Sequence, residues 1–182
     1  MGRPKALLPI TDGETFFDRV TRTLLAAGLE DVIVVVGADA QAIRAAAEPR
    51  AGVRIVDNPD HERGQLTSLL AGLGAIDGDV EAALVTLIDV PLVSSATVRT
   101  LLSERRRRAA PIIRPVSNGR HGHPVIFDRA VFAELRAADP RYGAKPVVRS
   151  HAAEIVDVPV DDEGAFTDID TLADYERVFG RL

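Results

Sequence analysis

Ala82 to Ile88 is a nearly continuous apolar run, broken abruptly by Asp89 with Pro91 two residues later. A strand with one wet face would show a polar residue at every second place. This one does not, which predicts the central strand of a parallel sheet covered by helices on both faces. Val32 to Val36, closed by Gly37, is a second buried run and Val53 to Val56 a third. Helical spacing lies between them. Thr15 with Asp18 forms a capping-box start, Phe16, Phe17, Val20, Leu24 and Leu25 make a buried stripe, and Gly28 ends the helix. Further helices are predicted over Ala40–Ala47, Leu66–Ile76, Ser95–Arg107, Val131–Ala137, Lys145–Ser150 and Leu172–Phe179. Strands are predicted over Pro111–Val116, Pro124–Phe127 and Ile155–Val160. The pair after Arg108, around the polar loop Ser117–His123, suggests an antiparallel insertion over the crevice. The alternation predicts one α/β domain over residues 1–182: three-layer, Rossmann-like, with a mainly parallel sheet.

Composition narrows the chemistry. With 22 Lys plus Arg against 27 Asp plus Glu, the formal net charge of −5 argues against a nucleic-acid partner, which wants a basic face. The basic run Arg105–Arg108 sits at a helix C-terminus, where cations suit the dipole, and reads as a solvated end. The absence of cysteine excludes disulfides, thiolate metal sites and a cysteine nucleophile. No apolar run approaches ~20 residues and no signal-peptide pattern opens the sequence, so no membrane partner is expected and the expected location is cytoplasmic.

Five loops carry polar residues that a sheet and its helices do not require. In the first, Gly2 to Lys5, the lysine can act as a point charge on a triphosphate. In the second, Asn58–Gln65 with Thr67 and Ser68, backbone N–H groups at a helix start suit an anion or a sugar edge. Asp89 is the third; at the carboxyl end of a strand a carboxylate is placed to hold a divalent metal against a phosphate. The fourth is Asn118–Pro124. His121 and His123 could pair on a metal, but no third ligand stands nearby, and a substrate-contacting loop whose glycines admit a ligand is the better reading. The fifth is Asp168-Ile169-Asp170-Thr171, where a helix N-cap explains one acidic residue but not two. Ser94 and Ser95 lack a Gly-x-Ser-x-Gly elbow, so a serine hydrolase is unsupported.

In order along the chain, Gly2-x-x-Lys5-x-Leu7-Leu8-Pro9, Asn58-Pro59-Asp60, Gly64 with Thr67-Ser68, Asp89-x-Pro91, Asn118-Gly119, Gly122-His123-Pro124 and Asp168-Ile169-Asp170-Thr171 resemble the motifs of MobA-like NTP transferases. They are most similar to the MocA type, the molybdenum cofactor cytidylyltransferases. The resemblance covers nearly the whole chain. It implies a sheet of the glycosyltransferase-A or nucleotide-diphospho-sugar transferase kind. It also implies transfer of a nucleoside monophosphate, CMP from CTP, onto a phosphate of molybdopterin with release of pyrophosphate.

On these positions the resemblance implies Asp89 on Mg²⁺, with Asp168 or Asp170 as a second acidic contributor, and Lys5 on the triphosphate. Gly2 belongs to the same nucleotide loop. Gly64, Gln65, Thr67 and Ser68 would line ribose and base, while Asn118, Gly122 and His123 would face the pterin. A molybdoenzyme or a cofactor chaperone would be the protein partner. Two departures stand out. Ile88 occupies the place before the metal Asp where the family usually has glycine, and the family's first strand and Gly-rich phosphate loop have no counterpart before Met1. Two other readings stay open: a guanylyltransferase or other phosphometabolite nucleotidyltransferase, and a non-catalytic cofactor-binding or chaperone module.

Overall fold

The protein is represented by a computed structural model that describes residues 3–11 and 13–181. A short hairpin, β1 (Pro9–Thr11) with β2 (Glu14–Thr15), leads into α1 (Phe16–Ala26). The expected capping box is formed: Thr15 Oγ1 accepts from the Asp18 N–H, and Asp18 accepts from the Thr15 N–H. Then come β3 (Val32–Val36), α2 (Ala40–Ala46), β4 (Val53–Asp57), α3 (Gln65–Gly74), β5 (Ala82–Val85) and α4 (Ser95–Arg107). The second half holds β6 (Ile112–Ser117), β7 (Arg120–His121), β8 (Val125–Asp128), α5 (Phe132–Ala137), α6 (Lys145–Ser150), β9 (Val156–Pro159) and α7 (Leu172–Phe179).

The sheet is mixed. β3 pairs β4 in parallel, Val32 opposite Val53, and β6 pairs β9 in parallel, Ile113 opposite Val156. β5, by contrast, runs antiparallel to β8, which in turn runs antiparallel to β6. The segment after Arg108 is therefore no insertion over the crevice; β8 lies inside the sheet, between β5 and β6. An apolar run reports burial on both faces but not strand direction, which is why the sequence pattern missed this. Among the described residues β3 and β5 are each paired along one edge only.

Successive β5 side chains serve two cores. Ala82 and Leu84 pack with Leu101, Ile113 and Ile126, whereas Ala83 and Val85 pack with Leu73, Phe132 and Leu135. On β3, Val34 and Val36 meet Phe17 of α1 and Ile43 of α2, while Gly72 of α3 lies against Val35 on the other face. Helices thus cover both sides of the sheet, giving the three layers. At ~25 cal/mol per Å² the burial of these side chains is the main stabilising term. A separate cluster, Leu8, Ile10, Phe16, Ile169 and Tyr175, clamps the two ends of the chain together, and Tyr175 donates to the Pro9 carbonyl at 2.6 Å.

Two expectations need correcting. The ladder of β5 ends at Val85, so Asp89 stands in a turn closed by Val90 N–H to Leu87 C=O, not at the last residue of a strand. Arg105 is not simply solvated: it is mostly buried and paired with Asp128 at 2.6 Å.

Candidate active site at the carboxyl edge of the sheet

Three segments distant in sequence meet beyond the carboxyl ends of β3 and β5. The first is a 3-10 turn, Lys5–Leu7, whose Ala6 is buried against Phe17, Val36 and Ile43. The second is the Thr86–Pro91 turn. The third is Asp168–Thr171, which the fully buried Ile169 anchors in the cluster with Leu8 and Tyr175. The Ile169 N–H donates to the Asp89 carbonyl at 2.8 Å, fixing the last two together. Asp168 and Asp170 flank this buried residue and so reach the crevice from either side of it.

Lys5 joins the segments. Its Nζ donates to Asp170 Oδ1 at 2.7 Å and to Asp89 Oδ2 at 3.4 Å. Partial burial opposes the ammonium charge, but the carboxylates of Asp170 and Asp89 outweigh it and hold the Lys5 pKa above the ordinary lysine value. Asp168 goes the other way from a usual carboxylate: desolvation, then the charges of Asp89 and Asp170, push it up. His123 lies in reach of the same charges. Its burial lowers its pKa, only partly offset by the Val85 backbone and then by Asp168 and Asp89, so it is neutral at pH 7.

His123 is delivered by a close backbone crossing. The Gly122 N–H bonds the Pro115 carbonyl and the His123 N–H bonds Ala165 C=O at 2.9 Å. A Cβ on Gly122 would come within 2.2 Å of that same Ala165 oxygen, so only glycine fits. The following His123–Pro124 peptide is cis. Gly122 therefore serves this crossing, not the approach of a ligand. Asn118 (φ 50°) and Gly119 (φ 76°) are the two central residues of the β6–β7 hairpin, whose flanks Ser117 and Arg120 pair. Their positive φ values are what a two-residue hairpin turn demands, which accounts for Asn118 without a ligand. Asn118 borders a depression with Val160 and Asp161 that includes none of Lys5, Asp89, His123, Asp168 or Asp170. His121 faces Arg114 and Asp157 on the surface, so the two histidines point apart.

Asn58 is buried and organises the other wall. Its amide donates to Thr67 Oγ1 at 2.8 Å and Ser68 Oγ at 3.0 Å. Thr67 is itself buried and its hydroxyl lies 2.7 Å from the Gly64 carbonyl, so it locks the turn and is not offered to a ligand. Gly64 (φ 116°, ψ 166°) adopts a conformation open only to glycine, and starts α3 without a side-chain cap. That leaves first-turn N–H groups beside the exposed Gln65. Gly2 lies outside the described residues.

Several contributors carried no motif. Asp162 accepts from the Ser94 N–H and from Thr97 Oγ1, tying the start of α4 to the segment before Asp168. Gly164 crosses Leu92 so closely that a Cβ would sit 2.1 Å from the Leu92 oxygen. The signal available was the sequence Asp162-Glu163-Gly164, an ordinary turn until its partner is known.

Thr86 Oγ1, Asp89 Oδ1 and His123 Nδ1 are buried without a hydrogen-bond partner among the described residues. Orphaned oxygens of this kind suit a hard cation. Among the described residues no three His, Asp or Glu side chains converge as a full ligand set. Mg²⁺ does not need one: it is commonly held by one or two carboxylates, with water and substrate phosphates completing the shell. Asp89 with Asp168 or Asp170 fits that requirement.

The sequence profile of the MobA-like NTP transferase domain matches residues 1–155. The chain belongs to that family. Nicotine blue oxidoreductase of Paenarthrobacter nicotinovorans is 34% identical to it over 189 residues, 98% of this chain and 89% of that protein. Molybdenum cofactor cytidylyltransferase of Escherichia coli K12 is 29% identical over 129 residues, 71% of this chain and 64% of that one. Rv0371c of Mycobacterium tuberculosis H37Rv, solved in complex with manganese, superposes on this MobA-like chain with a TM-score of 0.80 and 28% identity, covering 98% and 92% of the two chains. The fold is that of the nucleotide-diphospho-sugar transferases. No helix of the described residues is long and apolar enough to cross a membrane.

Proposed function

We propose that this MobA-like protein is a nucleotidyltransferase that moves CMP from CTP onto a phosphorylated acceptor of the molybdopterin type and releases pyrophosphate. The observation that carries the reading is the convergence of the Lys5 ammonium with the carboxylates of Asp89 and Asp170 at one point on the carboxyl edge of the sheet. Phosphoryl-type transfer needs positioning and charge neutralisation more than a protein nucleophile, and this arrangement offers both.

In this reading an oxygen of the acceptor phosphate attacks the α-phosphorus of CTP, and the bond from that phosphorus to the β-phosphate oxygen breaks. A phosphate monoester is largely doubly ionised at pH 7, so no general base is required. Lys5 neutralises the triphosphate, and the N–H groups at the start of α3 meet the ribose and base side through Gly64, Gln65 and Ser68. His123, uncharged, faces the acceptor without adding a second cation. Asp89, with Asp168 or Asp170, would hold Mg²⁺, which supplies charge neutralisation at the phosphates. The acceptor class and the choice of CTP rest on the similarity to molybdenum cofactor cytidylyltransferase.

Single-turnover assays with each of the four NTPs and molybdopterin, following pyrophosphate, test the proposal. Exclusive use of GTP would overturn the cytidylyl choice. A second reading is favoured by the 34% identity to an oxidoreductase over almost the whole chain. The same phosphate-binding groups would then hold a nicotinamide dinucleotide. Oxidation of NADH or NADPH with nicotine blue, and no pyrophosphate from any NTP, selects it.

A further inference from the structure

We infer that Lys5 is an exchangeable occupant of the cation position, so that metal binding by Asp89 and Asp170 and departure of the Lys5 side chain are one coupled event. The inference rests on the nucleotidyltransferase reading and deepens it. Lys5 Nζ is 2.7 Å from Asp170 Oδ1 and 3.4 Å from Asp89 Oδ2, so the ammonium sits on the oxygens a divalent cation would use. A hard cation binds such oxygens at about 2.0–2.1 Å, which leaves no room for an ammonium on the same lone pairs and sets like charges against each other.

The surrounding structure permits the exchange. The backbone is held, because Ala6 and Leu8 on either side are buried. The side chain is not: Lys5 is 33% exposed and Asp170 64% exposed, so their ion pair is solvent-screened and easily broken. Four methylenes let the ammonium swing away while its Cα stays fixed. Asp89 is the better-buried partner, at 22%, and its Oδ1 has no hydrogen-bond partner among the described residues. It remains as the fixed ligand while Lys5 moves. The nucleotide's phosphates are the natural destination for the released ammonium. Metal and nucleotide therefore bind with positive coupling, and by linkage each raises the other's affinity by the same factor.

The test measures Mn²⁺ alone, by the electron paramagnetic resonance of the free ion, on wild type, Lys5→Met and Lys5→Gln. Both variants keep the stem and remove the charge, and circular dichroism confirms that each is folded. The expected result is about tenfold tighter Mn²⁺ binding by the variants, with CTP binding weakened in the same proteins. Adding Asp89→Asn to Lys5→Met should remove the gain. Equal or weaker Mn²⁺ binding by both folded variants overturns the exchange, even if wild type releases pyrophosphate from CTP. Tighter binding by the variants, with wild type releasing no pyrophosphate from any NTP, keeps the exchange and overturns the transferase reading.

Discussion

The Ile169 N–H donates to the Asp89 carbonyl at 2.8 Å, binding the backbone of two loops 80 positions apart. Because this contact is made by main chain, the carboxylate of Asp89 is left free of any structural duty in it. Ile169 is fully buried, so its packing holds its neighbours Asp168 and Asp170 at the crevice, where Asp170 also accepts from Lys5 Nζ.

Asp89→Asn is therefore expected to leave the fold intact and remove transfer. Loss of a charged ligand at a phosphoryl-type site costs on the order of 10²–10³ in kcat. Pyrophosphate release measures the first effect and thermal melting the second. Full Mg²⁺-dependent turnover by this variant would remove Asp89 from the metal.

The two glycine crossings are expected to be far more sensitive. A Cβ on Gly122 or Gly164 would meet a backbone oxygen at 2.2 or 2.1 Å, and a main chain cannot yield as a flexible side chain does. Gly122→Ala and Gly164→Ala should each cost roughly 1–3 kcal/mol or more, lowering Tm by several degrees at about 2–4 °C per kcal/mol. Activity should fall with them, since His123 and Asp168 ride on these segments. Gly74→Ala is the control: nothing lies within 4 Å, and the helix position should gain up to about 1 kcal/mol.

Much of this was legible in the residues. The capping box of α1, the β-branched β3 and the apolar faces of α3 and α4 follow from local pattern, and the structure repeats them. Lys5, Asp89 and the Asp168–Asp170 pair also stood out, since each is polar where packing asks for nothing. Pairing did not. β5 finds β8 some 40 positions later, and Lys5 finds Asp170 across 165 positions, distances over which periodicity carries no information. Asn118-Gly119 shows a different failure: its hairpin signal was present but was outweighed by its polarity. Thr67 reads as a ligand contact although it is buried on Gly64, because a hydroxyl facing inward and one facing a ligand look alike in sequence. Asp162 escaped notice for the opposite reason, as its partners Ser94 and Thr97 lie more than 60 positions away.

His151 provides a pH test remote from the site. Glu134, at 3.0 Å, and then Glu154 stabilise its charged form and raise its pKa, although burial opposes this. A raised imidazole contributes stability that is fully present below its unfolded value of about 6.5 and is lost as pH rises through the folded value. His151→Gln should thus lower Tm near pH 5.5 and have less effect at pH 9. Melts across that range check it, and an equal loss at both ends would assign the residue a packing role instead.

His123 should show the reverse slope. Burial is the first cause of its lowered pKa, and the Val85 backbone, then the carboxylates of Asp168 and Asp89, only partly compensate. A depressed imidazole contributes stability above about pH 6.5 that is lost as pH falls, because the fold must then accept a proton it excludes. In His123→Gln that acid-side loss should be absent, so variant and wild type diverge below pH 6.5 and run parallel above it. The same substitution separates the two sides of the crevice. His123 shares the Ala165 crossing with Gly122, whereas the α3 wall is built by Asn58, Thr67 and Gly64. Its loss should raise the acceptor's KM several-fold while leaving that for CTP within about twofold, since one hydrogen bond to a charged group is worth roughly 1.5–3 kcal/mol at most. Initial rates with each substrate varied in turn decide it. A change confined to CTP would place His123 on the nucleotide side.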